Sequence, residues 1–174
     1  MMRGGEGMGG QTRSNLYEAF VGEDRAHIRL LAFARKAKEE EYSQIAKLFR
    51  AIAAAEEVHA ANHLRVLGEA IVKSTEDNLA FSFDKETTVN EVTYPQFIME
   101  AEEESQQAAV SSLSYARDVE EGHARLYDKA MGHMLQDEVN DYYVCGVCGY
   151  TSDGVLPEEC PICGAKREEF RKIE

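Results

Sequence analysis

"AAAEEVHAAN" at residues 53–62 and "RDVEEGHARL" at residues 117–126 both write Glu-Glu-x-His in the middle of a stretch otherwise built for helix. Their surroundings make the repetition informative. Around the first, the 4-3 spacing of a buried helical seam runs Ile45, Phe49, Ile52, Glu56, His59, His63, Val66. Around the second it runs Ala109, Leu113, Ala116, Glu120, His123, Tyr127, Ala130, Met134. Two further segments carry similar stripes: Leu16, Phe20, Glu23, His27, Leu30, Ala34, and Leu79, Phe83, Glu86, Asn90, then Phe97 once Pro95 has shifted the phase. Each stripe is apolar except near one place, and there each offers a Glu.

Four carboxylates aimed into one core demand compensation. Desolvating a single ionised carboxylate costs several kcal/mol, and like charges repel besides. Cations answer that demand. The i, i+3 spacing puts Glu56 with His59, and Glu120 with His123, on one face of one turn. One Glu from each of two helices plus Glu-x-x-His from each of the other two is the donor set of carboxylate-bridged di-iron or di-manganese bundles. A lone Glu-x-x-His is usually a solvated surface pair. Two copies on apolar stripes, each preceded by a stripe Glu by 33 or 34 residues, are not explained that way. Glu57 and Glu121 leave the stripe by about 100° and read as solvated. His27, His63 and His133 read as surface or supporting groups, His27 being the one nearest a candidate ligand.

Composition agrees with a helical domain followed by something different. Residues 12–135 are rich in Ala, Leu, Glu, Lys and Arg with one proline, Pro95, which favours helix. Four helices are expected, at 12–38, 41–67 (closed by Gly68), 74–104 and 106–135, with a kink or widened turn just before Pro95. "TRSNLYEAFVGE" at 12–23 and "TEDNLAFSFDKE" at 75–86 share Thr, Asn-Leu, a displaced Phe and a final Glu. The first and second helices therefore read as one hairpin, and the third and fourth as its copy. Residues 1–11 read as a flexible tail and the acidic stretch 136–141 as a linker to a separate module at 142–174.

That module holds all four cysteines, in "CGVCGY" (145–150) and "CPICGA" (160–165). Two C-x-x-C pairs so close together form a tetrahedral four-thiolate metal site, Cys145, Cys148, Cys160 and Cys163. Gly149 and Gly164 allow a tight turn that brings backbone N–H groups to the sulfurs. Spacing alone leaves iron and a zinc ribbon both open. The net charge of -13 argues against nucleic acid or an anionic membrane as partner. No apolar run approaches the ~20 residues of a membrane span. The start of the chain does not resemble a signal peptide, so the cytoplasm is the expected location.

Taken together, "EEVH", "EEGH" and "YVCGVCGY…CPICGA", with "NLYEAFVGE" and "TYPQFIMEAEEE", resemble the rubrerythrin family over nearly the whole chain after residue 11. The resemblance implies an all-α ferritin-like four-helix bundle with a small, β-rich, rubredoxin-like C-terminal domain. It implies di-iron ligands Glu23, Glu56, His59, Glu86, Glu120 and His123, and a single iron on the four cysteines. It also implies reduction of hydrogen peroxide, with electrons drawn from NAD(P)H through a partner reductase or a rubredoxin. One departure stands out. Where the family has a second Glu three residues after the third-helix ligand, "KETTVNEVTYP" has Val89. Tyr94 keeps its usual place, and Leu30 stands where a tyrosine is usual. The standard peroxidase cycle is what these changes bear on. The alternatives are a di-iron ferroxidase or oxygen-reducing protein, and a non-enzymatic metal-binding protein with a zinc ribbon.

The connection between the second and third helices carries an expectation about assembly. In a ferritin-like bundle it must cross roughly 32 Å of axis. The eight residues "GEAIVKST" reach only ~26–29 Å fully extended. A domain-swapped homodimer, one chain's first hairpin paired with the other's second, relieves that strain.

Overall fold

The computed structural model describes residues 8–133 and 140–174. Most of the expected N-terminal tail, residues 136–139 of the expected linker, Met134 and the side chain of His133 lie outside the described residues. The chain divides into two units, the first ending at Ser74 and the second beginning at Thr75. That boundary falls between the two hairpins expected from the repeat.

In the first unit, α1 (Gly10–Glu39) and α2 (Ser43–Leu67) form an antiparallel hairpin. Its interface is an alanine seam. Ala46, Ala53, Ala60 and Leu67 recur every seven residues along α2 and are buried, as are Ala34 and Ala37 on α1. Small side chains let the two backbones approach closely, and Phe33 meets Phe49 edge-on beside the seam (centroids 5.7 Å apart). Gly68 closes α2 with φ 52°, a left-handed value that a residue without Cβ adopts at little cost. The stripe read as core from the sequence lies beside this seam rather than in it: Ile45, Ile52 and Val66 are 46%, 39% and 43% exposed. A two-helix hairpin has one inward face, and here alanine occupies it.

The second unit begins with α3 (Thr75–Thr88), whose first turn carries Glu76 and Asp77 against the positive end of the helix dipole. A π-helical turn, Val89–Thr93, joins it to α4 (Tyr94–Glu103), and α5 (Gln107–His133) returns alongside. The widened turn expected before Pro95 is this π turn, seen in the Tyr94 N–H that reaches back five residues to Val89 O.

Residue counts explain why the turn is there. Glu23 to the left-handed Glu41 is eighteen residues, whereas Glu86 to the left-handed Ser105 is nineteen. From those two corners to Glu56 and Glu120 the count is fifteen in both. The corners also share their closing bond: Tyr42 N–H to Ala37 O and Gln106 N–H to Ala101 O are both 2.8 Å. The copy therefore holds one extra residue, and the π turn is the place a helix absorbs one without losing register.

The unit ends in a three-stranded antiparallel sheet of order β2-β1-β3: β1 (Tyr142–Cys145), β2 (Thr151–Asp153) and β3 (Phe170–Ile173). Tyr150 and Phe170 meet edge-on at 6.5 Å under it. No described helix is long and apolar enough to cross a membrane.

Candidate metal centres

Three groups of donors lie close enough to grip a cation, all ligand atoms of each within 4.8 Å of one another: Glu23, Glu56 and His59; Glu86, Glu120 and His123; and the four cysteines. Each of the ten residues singled out from the sequence falls in one of them, and no group crosses from one unit to the other.

In the first unit His59 turns Nδ1 to Glu56 Oε2 at 2.8 Å and to Glu23 Oε1 at 4.0 Å. In the second, His123 Nδ1 lies 2.9 Å from Glu120 Oε2. Glu86 faces the same place. Burial, then a hydrogen bond shared with Glu120, then that neighbour's charge, pushes its carboxyl up to about 7. Two carboxyls this close do not both ionise comfortably, and a cation between them would be favoured. The donor set fits one of the transition-metal kind: arms of about 2.1 Å at right angles span about 3 Å, close to the Nδ1–carboxylate separations here. Tyr94 stands by this cluster. Burial, with the charges of Glu120 and Glu86, holds its phenol proton more tightly than usual.

A brace supports both clusters: His27 is the supporting group expected beside Glu23, and Asn90, which no sequence signal marked, is its counterpart. Four residues after Glu23, His27 Nδ1 donates to Ala53 O at 2.8 Å. Four residues after Glu86, Asn90 Nδ2 donates to Arg117 O at 2.6 Å. Ala53 and Arg117 each sit three residues before the ligand Glu of the returning helix. The two side chains thus pin the first helix to the second one turn below the donors, in both hairpins. Of the bystanders, Glu121 is exposed and pairs with Arg125, as expected of a solvated group. Val89 is half-buried, within the π turn three residues after Glu86.

The four-cysteine group is built from two like knuckles. Cys145 N–H donates to Tyr150 O and Gly149 N–H to Cys145 O (2.9 and 3.0 Å); Cys160 N–H donates to Ala165 O and Gly164 N–H to Cys160 O (2.8 and 2.9 Å). Gly149 (φ 85°) and Gly164 (φ 72°) sit in the left-handed region that makes each reversal possible. The expected N–H···S contacts follow. Tyr150 N–H points to Cys148 and Ala165 N–H to Cys163. Burial raises the Cys148 and Cys163 thiols in spite of these contacts. At Cys145 burial acts in the same sense, but the N–H groups of Cys148 and Val147 and the neighbouring thiols bring it below its ordinary value. Sγ separations of 3.8 Å (Cys145–Cys163) and 3.6 Å (Cys148–Cys160) match the edges of a tetrahedron with arms of about 2.3 Å. The site fits a four-thiolate metal ion.

Within the second unit the helical cluster and the four-cysteine domain touch. His123 Nε2 lies 3.2 Å from Thr151 Oγ1 on β2, and Lys129 pairs with Asp153 on the same strand. A cavity of about 450 Å³ opens beside them, walled by Leu79, Leu126, Ala130 and Tyr142 with His123 and Thr151 at its edge. No local sequence signal marks these contacts.

Residues 14–131 match the Rubrerythrin family model, and residues 143–171 match the model described as "Rubrerythrin, rubredoxin-like domain". The chain is 33% identical to Rubrerythrin-2 of Clostridium acetobutylicum, covering 92% of this chain and 95% of that one. It is also 33% identical to Nigerythrin of Nitratidesulfovibrio vulgaris, over 92% and 86%. Among solved structures, nigerythrin in a partially reduced state aligns with a TM-score of 0.57 at 32% identity, covering 99% of this chain and 92% of that one.

Proposed function

Because the chain belongs to the rubrerythrin family, with its di-iron site and rubredoxin-like four-cysteine site, we propose that this oxidoreductase reduces hydrogen peroxide to water. Electrons would come from an NAD(P)H-linked partner reductase or a rubredoxin, in the cytoplasm. The observation that carries the reading is the duplicated donor cluster accompanied by a four-thiolate site.

In this reading Glu23, Glu56, His59, Glu86, Glu120 and His123 hold the di-iron centre, and Cys145, Cys148, Cys160 and Cys163 hold the single iron. Bound there, iron would supply the redox chemistry that reduction of an O–O bond requires. The chain supplies the surroundings. The carboxylates balance cationic charge that burial would otherwise leave exposed to a poor dielectric. Tyr94 keeps its phenol protonated beside Glu120 and Glu86, so the cluster carries a neighbouring O–H that can donate a hydrogen bond. The N–H groups of Tyr150 and Ala165 stabilise thiolate charge and so tune the four-cysteine site.

The test is reduction of peroxide by the iron-loaded protein with NAD(P)H and a reductase, full length against a form ending at residue 139. The full chain should turn over, and the shortened one should bind iron in its helices but lose most of the coupled rate. Undiminished coupled turnover in the shortened form rules out the electron route.

Val89 favours a second reading, an oxygen-reducing protein or ferroxidase, because an apolar side chain occupies the family's usual carboxylate position. Stopped-flow oxidation of the reduced protein by peroxide and by dioxygen separates the two.

We also propose a domain-swapped homodimer. The second helix continues to Leu67 and the third begins at Thr75, leaving residues 68–74, of which Gly68–Ala70 are a 3-10 turn. From Glu56 to Leu67 and from Thr75 to Glu86 the helices run roughly 33 Å of axis. Seven residues reach about 25 Å at most. The exposed apolar stripe of Ile45, Ile52 and Val66 is the surface such a partner hairpin would cover.

A further inference from the structure

A metal-ligating histidine needs its second ring nitrogen held, and in the second unit the holder comes from outside the helices. His123 presents Nδ1 to Glu120 Oε2 (2.9 Å) and Nε2 to Thr151 Oγ1 (3.2 Å). Thr151 Oγ1 also lies 3.3 Å from Gly149 O, the residue after Cys148. A hydroxyl has one proton to give and two lone pairs with which to accept. With its proton on the Gly149 carbonyl, Thr151 accepts from His123 Nε2–H. That fixes the tautomer and leaves the Nδ1 lone pair facing the carboxylates.

The strand is held in register for this. Residues 151 and 153 share one face of β2, and Asp153, its side chain only 14% exposed, pairs with Lys129 on the same helix as His123. Ser152, between them, is buried and donates to Val155 O (2.6 Å). The first unit has no counterpart: among the described residues His59 is bonded only through Nδ1, and its side chain is 54% exposed.

We propose that Thr151 is a positioning residue for the helical metal centre. The four-cysteine domain thereby completes the surroundings of the iron that His123 binds, and the knuckle of Cys148 is joined to that ligand through Gly149 and Thr151. The proposal rests on the assignment of His123 as an iron ligand made above. It also makes iron binding and docking of the four-cysteine domain reciprocal, since each favours the conformation the other needs.

The experiment is anaerobic titration of iron(II) into full-length protein whose four-cysteine site is already loaded, its tetrathiolate absorption serving as a check on that domain. Thr151→Val keeps the shape of the side chain and removes the acceptor; Thr151→Ser restores it. Thr151→Val should weaken one of the two helical irons by tenfold or more, the usual scale for such partners, and Thr151→Ser should bind as wild type. Thr151→Ala gives the same reading should valine disturb the strand. Unchanged affinity in the valine or alanine variant overturns the proposal, as does equal weakening in serine and valine. His123→Ala separates the two levels: if it keeps both irons, the ligand assignment falls together with the inference. If it loses iron while Thr151→Val does not, the inference alone falls.

Discussion

The two helical hairpins correspond around their donors but differ in backbone and in environment. Both place a Glu, a Glu-x-x-His and a bracing side chain at corresponding positions, and both turn their corner through a left-handed residue, Glu41 or Ser105. The first hairpin is built of two unbroken α-helices and its histidine is open to solvent: His59 is 54% exposed. The second holds an extra residue in its π turn, and its histidine, 27% exposed, is tied to the four-cysteine domain. What survives in both copies is the donor geometry and its brace. What differs is how each cluster is connected to the rest of the chain. The chemistry of gripping a cation is thus duplicated, whereas the link to the second metal site belongs to one copy.

The largest expected effect tests whether the hairpins work as halves of one site. Glu56→Ala and Glu120→Ala should each lose iron from the helical centre rather than merely slow turnover. Mixing the two mutants during assembly then distinguishes pairing within a chain from pairing between chains. In a swapped heterodimer one composite site has both intact halves, so roughly half the iron and activity should return. Pairing within each chain leaves every site with a defect, and iron analysis of the mixed dimer should then find no recovery.

A smaller effect comes from Glu86, raised from its ordinary 4.5 to about 7 chiefly by burial and then by Glu120. A carboxyl whose folded value lies above its unfolded one contributes fully below the unfolded value. That contribution is lost as pH rises through the folded value. The metal-free protein should accordingly melt at lower temperature as pH rises from about 5 to about 8, and Glu86→Gln should flatten the trend. Iron loading should reverse it, because the ligands must be deprotonated to bind. Melting curves with and without iron decide the point.

The braces should matter less. His27→Ala and Asn90→Ala each remove one partly buried side-chain bond, worth about 1 kcal/mol. Their effects should be similar in denaturant unfolding if the hairpins are equivalent. A loss confined to one hairpin would show that the correspondence is geometric only.

Val89→Glu is the finest adjustment, since it adds a carboxylate to the second hairpin without touching a ligand. The rate of oxidation by peroxide should rise relative to that by dioxygen, read by stopped flow. An unaltered ratio means this position does not choose the oxidant.

Much of this was legible beforehand because its cause is local. Donor identity and i, i+3 spacing are properties of a single helical turn, so Glu56 with His59 and Glu120 with His123 needed no partner to be found. The four cysteines likewise announce a tetrahedral site through two short loops. Pro95, which cannot donate to the turn before it, announced the widened helix. The apolar stripes were less informative than they looked. Ile45 and Ile52 satisfy the pattern of a core, yet the first hairpin closes over Ala46, Ala53 and Ala60. Periodicity reports that a face is apolar; it does not say which of two neighbouring faces is used first.

By itself, then, the sequence determined the helices, the repeated Glu-x-x-His pattern and the paired C-x-x-C knuckles, because each depends on residue type and on spacing within one element. Tertiary structure alone decided the alanine seam, the His27 and Asn90 braces, and the hold of Thr151 on His123. Those contacts join residues 26 to 28 positions apart along the chain, or set one face of a helix against another. They arise only when backbone carbonyls and hydroxyls from separate elements arrive within about 3 Å, a condition no pattern within a single helix or strand encodes.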